Sequence, residues 1–130
     1  MEGWKVLLVD DEVEFVSTLA QRHRLRGINV DVAVDGDEAL QKITADPPQV
    51  VVLDVMMPGV SGFEVLQRIK KGYPEIQVIL LTGIGSSKDG LQGIRLGAFD
   101  FLMKPLQIAQ LIQKLGDAVR KKPGGPKRDD

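Results

Sequence analysis

Short apolar runs alternate with longer amphipathic runs along almost the whole chain. Each of five apolar, β-branched runs is followed by a run whose apolar residues have helical spacing. The predicted strands cover residues 5–9, 28–34, 50–53, 76–81 and 99–103. The predicted helices cover residues 13–26, 37–45, 62–71, 86–96 and 107–121. Strict alternation of strands and helices favours a parallel sheet covered by helices on both faces.

The degree of apolarity suggests where each strand lies in the sheet. The first, third and fourth runs are fully apolar, which favours central positions, whereas the second run alternates as an edge strand would. Right-handed crossovers with one reversal of strand order give a doubly wound α/β fold. We therefore predict a three-layer (βα)5 fold with a five-stranded parallel sheet. The flavodoxin-like order 2-1-3-4-5 accommodates the pattern, although the sequence alone does not force it.

Composition narrows the classes of protein. A chain of 130 residues, 43% of them hydrophobic, suits one domain with one core. A net charge of −1 gives no reason to expect contact with nucleic acid. Cysteine is absent, which fits the cytoplasm and excludes thiolate metal sites. Neither a signal peptide nor a run of ~20 apolar residues is seen, so no membrane contact is expected. We expect a domain over residues 1–121 and a disordered tail or linker stub over residues 122–130.

Chemically reactive side chains fall at the ends of four predicted strands. Asp10 and Asp11 follow the first strand, Asp54 the third, Thr82 the fourth and Lys104 the fifth. Because ligands bind at the carboxyl ends of the strands in such sheets, we expect these side chains to converge. Three neighbouring carboxylates repel one another, and without a cation the pKa of at least one of them should rise.

A hard divalent cation would remove this repulsion. Mg²⁺ prefers oxygen ligands and typically uses one or two carboxylates together with a phosphate. A carboxylate can also act as a nucleophile and form an acyl phosphate. Lys104 would place a positive charge on a phosphate oxygen, and Thr82 would donate a hydrogen bond to another. The sequence thus predicts a magnesium-dependent phosphoryl site.

Several short motifs carry these residues. They are Asp10-Asp11-Glu12, Asp54-Val55-Met56-Met57-Pro58-Gly59 with Ser61-Gly62, Thr82-Gly83, and Phe101-Leu102-Met103-Lys104-Pro105. Taken together and in this order, they resemble the signatures of the receiver domain of bacterial response regulators. The resemblance extends over about residues 5–120. It implies a signalling switch that is not an enzyme beyond its own phosphorylation and slow autodephosphorylation.

The resemblance also implies roles for individual residues. Asp54 would accept a phosphoryl group from a phosphohistidine on a sensor histidine kinase or histidine phosphotransfer protein. Asp54 and Asp11 would ligate Mg²⁺ directly, Asp10 would act mainly through water, and the backbone carbonyl of Met56 would be a further ligand. Thr82 and Lys104 would then hold the phosphate.

Phe101 matches the aromatic switch position of the family, where tyrosine is frequent. Phenylalanine has no hydroxyl, so switching would rely on burial of the ring, and a pure packing role stays open. The resemblance further implies a cis bond between Lys104 and Pro105. A homodimer through the face formed by helix 4, strand 5 and helix 5 is a separate expectation that no sequence motif carries.

Two other features give weaker predictions. Gly83, Gly85, Gly90 and Gly93 suggest that the segment after Thr82 is loosely held and able to move. His23 is the only histidine, and it shares a helical face with Phe15 and Leu19. We predict that His23 lies at the boundary of the core with a satisfied nitrogen and does not donate phosphate.

Three other function classes compete with this interpretation. A flavin-binding protein of this topology would need a phosphate loop rich in small residues after the first strand, where this chain has Asp10-Asp11-Glu12. A phosphatase with an aspartate nucleophile would usually carry a second acid at position 56, which is methionine. An unphosphorylated receiver-like interaction module would usually lack an acidic or lysine position, and all are present here. That module stays as the alternative.

Overall fold

The structure is a computed structural model that describes residues 3–83 and 87–121. Ten elements alternate along the chain. They are β1 Lys5–Val9, α1 Val13–Arg24, β2 Asn29–Ala33, α2 Gly36–Ala45, β3 Val50–Asp54, α3 Gly62–Gly72, β4 Gln77–Thr82, α4 Ser87–Arg95, β5 Asp100–Met103 and α5 Ile108–Arg120. The tail predicted over residues 122–130 lies outside the described residues.

The five strands form one parallel sheet in the order β2-β1-β3-β4-β5, which confirms the predicted topology. Every residue of β3 and β4 is buried, as their apolar runs indicated. Successive side chains of a strand point to opposite faces, so Leu7 and Val9 join one core cluster while Val6 and Leu8 join the other. Helices α2 and α3 cover the first cluster and α1 and α5 cover the second, which gives three layers.

Local sequence sets where the helices begin and end. Asp35 and Ser61 precede α2 and α3, and their side chains accept hydrogen bonds from the backbone N–H groups of Glu38 and Glu64. Helix α1 was predicted to continue to residue 26, but it ends at Arg24. The chain then passes through Gly27, whose φ of 84° favours glycine, and turns into β2.

Side chains cover two outward carbonyl groups of the edge strand β2. Residues 29 and 33 pair with the β1 side, so the carbonyls of Val30 and Val32 point to the free edge. Arg24 donates to the Val30 carbonyl oxygen at 2.8 Å and 3.2 Å, and Lys42 donates to the Val32 carbonyl oxygen at 2.6 Å. Charged side chains along an edge discourage pairing with another strand.

Helix α4 approaches the sheet through its glycines. Gly90 and Gly93 are the buried residues of this helix. A Cβ atom at residue 90 would lie within 3.0 Å of three ring atoms of Phe101, and one at residue 93 would overlap with Leu80. Gly90 and Gly93, two of the glycines that suggested a loosely held segment, therefore allow close contact between α4 and its neighbours, and Gly85 lies outside the described residues.

The prediction for His23 is wrong in one respect, because this residue is fully buried and does not lie at the boundary. Its Nδ1 atom lies 2.7 Å from the Leu19 carbonyl oxygen, whereas its Nε2 atom has no hydrogen-bond partner among the described residues. Burial lowers the pKa of His23, so the neutral form is favoured. A side chain enclosed in this way has a packing role.

The described part of the chain contains no helix that is both long and apolar enough to cross a membrane.

Candidate functional site

The carboxyl ends of four neighbouring strands bring the predicted residues to one edge of the sheet. Asp10 follows β1, and Val9 pairs with Leu53, so Asp10 lies level with Asp54 at the end of β3. Asp54 in turn pairs with Leu81, which immediately precedes Thr82. In the same way, Thr82 pairs with the last residue of β5, after which Lys104 follows. The register of the sheet therefore fixes the cluster.

Three carboxylates meet at this edge. Each of Asp10, Asp11 and Asp54 offers an oxygen atom within 4.8 Å of the others. Asp10 and Asp54 are only 1% and 5% exposed, whereas Asp11 is exposed. Asp10 accepts a hydrogen bond from the Glu12 backbone N–H at 2.9 Å, and Asp54 accepts one from the Met56 backbone N–H at 3.2 Å.

Burial and neighbouring negative charge both act on Asp54. Burial raises the pKa of Asp54 to about 6, and the negative charge of Asp10 adds to the increase. A divalent cation would lower this cost by neutralising the adjacent carboxylates. The three acids offer hard oxygen donors, the donor type that Mg²⁺ prefers, so the residues present fit this ion.

Lys104 supplies the positive charge of the site. Its Nζ atom lies 2.8 Å from an Asp10 carboxylate oxygen, 2.7 Å from Glu12 Oε1 and 3.7 Å from Asp54 Oδ2. It also lies 4.6 Å from the centre of the Phe15 ring. Burial alone would lower the pKa of Lys104, but the hydrogen bonds to Asp10 and Glu12 outweigh it and raise the pKa. Lys104 is therefore charged and held mainly by Asp10 and Glu12.

Thr82 contributes a buried hydroxyl. The residue is fully buried, and its Oγ1 atom has no hydrogen-bond partner among the described residues. Most buried polar groups in proteins are paired, so this hydroxyl has an unused capacity to donate. A phosphoryl oxygen is one acceptor that could use it.

The remaining predicted residues surround this cluster. Phe101 is half-buried, and its ring lies against the surface of α4 at Gly90. The Met56 side chain is largely exposed, beside the acceptor candidate. The Lys104–Pro105 peptide bond is cis.

Sequence reasoning assigned no role to Glu12 or Phe15 in this cluster, although both contact Lys104. Glu12 and Lys104 are 92 positions apart, so no local pattern could reveal their ion pair. The position of Glu12 directly after the acidic pair was the only available signal.

Comparison with known proteins places the chain in a family. The model of the response regulator receiver domain matches residues 6–116. A probable transcriptional regulator, ycf27, of Cyanophora paradoxa is 38% identical over 117 residues, which are 90% of this chain and 48% of the relative. The uncharacterized transcriptional regulatory protein YkoG of Bacillus subtilis is 35% identical over 130 residues, covering 100% of this chain and 56% of the relative. The chain thus spans about half the length of these relatives.

Solved structures agree with the sequence comparison. The receiver domain of NtrX from Brucella abortus superposes with a TM-score of 0.86 at 34% identity, covering 90% of this chain and 99% of that chain. The receiver domain of the Francisella response regulator 1452 superposes with a TM-score of 0.85 at 31% identity, covering 91% and 98% respectively. Fold, sequence and family model therefore agree that this chain belongs to the response regulator receiver-domain family.

Proposed function

We propose that this chain is a phosphorylation-controlled switch of the cytoplasm in which Asp54 accepts a phosphoryl group. The donor would be a phosphohistidine on a sensor histidine kinase or histidine phosphotransfer protein. The observation that supports this most is the arrangement around Asp54. A buried carboxylate with a raised pKa lies between two further acids and one lysine, at the edge where ligands bind in such sheets.

Asp54 is the nucleophile in this proposal. One of its carboxylate oxygens attacks the phosphorus atom, and the bond between phosphorus and the donor imidazole nitrogen breaks. The electron pair of that bond stays on the imidazole. Because the pKa of Asp54 is about 6, most of this carboxylate is ionised and nucleophilic at neutral pH.

Asp10, Asp11, Asp54 and the Met56 carbonyl would hold Mg²⁺, which, when bound, offsets negative charge on the transferring phosphoryl group. Lys104 reaches within 3.7 Å of Asp54, so a small movement brings its ammonium to a phosphoryl oxygen. Thr82 donates its hydroxyl, which lacks a partner among the described residues, to another phosphoryl oxygen. Both residues thereby recognise the phosphorylated form.

The output follows from a shift between two conformations. When the Thr82 hydroxyl moves toward the phosphate, the ring of Phe101 fills the space that is vacated beneath α4. The phosphate shifts the populations only as far as it binds one conformation more tightly than the other. The surface of α4 and β5 carries the exposed apolar residues Leu91, Ile94 and Met103, and this face is the candidate contact for a partner or a second copy.

Phosphorylation by a small phosphodonor tests the proposal. The chain is incubated with Mg²⁺ and the donor, and intact-mass and peptide-mass measurements then locate the adduct. We expect the mass of one phosphoryl group on Asp54, loss of the adduct in hydroxylamine, and no adduct in the Asp54→Asn variant. An unmodified chain would favour the alternative of an unphosphorylated interaction module.

A further inference from the structure

Lys104 is not aimed at the acceptor in the resting structure. Its ammonium is within hydrogen-bonding distance of Asp10 and Glu12, at 2.8 Å and 2.7 Å, but its distance of 3.7 Å from Asp54 is too long for a direct hydrogen bond. The Phe15 ring, 4.6 Å away, provides a third contact. The ammonium is thus held on the side of β1 and α1, away from Asp54.

When Mg²⁺ binds, Glu12 is the one of these two acids that we expect to stay paired with Lys104. Asp10 is a proposed magnesium residue, so its carboxylate would be drawn toward the ion. Glu12 does not belong to the cluster of three acids that could share a cation. The Glu12 side chain is 63% exposed. Among the described residues, Lys104 is the only hydrogen-bond donor to its carboxylate.

The Glu12 side chain also makes no contact among the described residues that would stabilise the start of α1. Glu12 occupies the N-cap position of α1, but its side chain makes no capping hydrogen bond. Its carboxylate oxygen instead lies 2.7 Å from the Lys104 ammonium, as an ion pair. An exposed pair of this kind is weak and exchanges easily, which suits a contact that must be broken in each cycle.

We propose that Glu12 is a positioning residue that retains Lys104 in a withdrawn position and competes with the phosphoryl group for its ammonium. This inference rests on the proposed function, since it requires Asp54 to be phosphorylated. In the resting state Glu12 occupies one donor of the ammonium. When a phosphoryl group arrives, Lys104 leaves Glu12 and donates to the phosphoryl oxygen. Glu12 therefore slows phosphorylation.

The Glu12→Gln variant tests this directly, because glutamine keeps the shape of the side chain and removes its charge. We expect about threefold faster phosphorylation of Asp54 by a small phosphodonor and about threefold tighter binding of beryllofluoride with Mg²⁺. The matched control is Glu14→Gln, which removes the same charge from the exposed first turn of α1, where no ion pair with Lys104 exists among the described residues. The control should behave as wild type.

Salt provides a readout that a merely structural role would not change. Exposed ion pairs are screened as ionic strength rises well above ~0.1 M, where the Debye length is about 10 Å. The ratio of the Glu12→Gln rate to the wild-type rate should therefore fall toward one at high salt. Equal rates at low salt, a slower variant, or the same increase in Glu14→Gln would overturn the inference alone. Failure of wild type itself to take up phosphate or beryllofluoride would overturn the proposed function and this inference with it.

Discussion

Replacement of Gly90 by alanine should destabilise the chain, although glycine is normally the poorer residue in a helix. Gly90 lies on the buried face of α4, and an added Cβ would approach three atoms of the Phe101 ring to less than 3.0 Å. Either the ring or the helix must move, because the Phe101 ring of β5 already packs against α4 and the neighbouring core cluster.

Two opposing effects set the magnitude. Alanine in place of glycine in a helix interior gains about 1 kcal/mol of stability. Overpacking by one methyl group in a close-packed contact costs ~1–3 kcal/mol, and three short contacts at once place Gly90 in the upper half of that range. The net loss in the free energy of unfolding should therefore be about 1–2 kcal/mol. With a urea dependence of about 2 kcal/mol per molar, the midpoint should fall by roughly 0.5–1 M.

Urea denaturation followed by circular dichroism measures this difference. The control is Gly72→Ala at the end of α3, where an added Cβ meets nothing within 4 Å. That variant should gain about 0.4–1 kcal/mol, since only the flexibility of the unfolded chain changes. If Gly90→Ala were as stable as wild type, or gained stability as Gly72→Ala does, the close-packing interpretation of α4 would be refuted. Gly90 would then be a simple source of flexibility.

Three further predictions concern charge. Asp54→Asn should gain about 1–2 kcal/mol in urea denaturation at pH 7. The pKa of Asp54 is about 6 in the folded chain and ~3.9 in the unfolded chain. Protonation of Asp54 therefore stabilises the fold fully below about pH 4, and this stabilisation is lost as the pH rises through 6. A stability difference between variant and wild type that is the same at about pH 4 and about pH 7 would contradict this. Magnesium at 100 times its Kd should raise the stability of wild type by about 2.7 kcal/mol in thermal denaturation, and the Asp11→Asn variant should gain less. If magnesium did not stabilise wild type, the three acids would not form a magnesium site. Lys42→Met should uncover the Val32 carbonyl and promote concentration-dependent self-association in light scattering, whereas Lys71→Met should not; equal behaviour would count against protection of the edge.

The fold could be predicted from the sequence because its signals are local. Apolar runs of β-branched residues at β1, β3 and β4 indicated buried parallel strands, and the alternation at β2 indicated an edge. The ends of elements were less certain, because the last turn of a helix has few tertiary contacts. Helix α1, for example, ends at Arg24, two residues before the predicted end.

The meeting of the acidic residues with Thr82 and Lys104 was also predictable, since a parallel sheet brings all carboxyl strand ends to one edge. The contacts between side chains from distant segments were not. Gly90 has a partner, Phe101, on another element, and its sequence neighbours do not indicate it. His23 was placed on the correct helical face, but helical spacing does not tell how completely neighbouring elements cover a residue.

The balance of charge at the edge explains why the site needs a rigid support. Four acids, Asp10, Asp11, Glu12 and Asp54, lie at this edge, and among the described residues Lys104 is the cation that pairs with three of them, so the resting cluster carries excess negative charge. That repulsion adds to the cost of burying Asp54, and burial is the larger cause of its raised pKa. It is tolerated because the acids follow the fully buried strand β3 and its neighbour β1, whose apolar residues stabilise the sheet independently of the site. A site held in this way gains stability from any cation that joins it. Lys104, the cation that the described residues supply, then partitions between Glu12 and the anion that forms on Asp54.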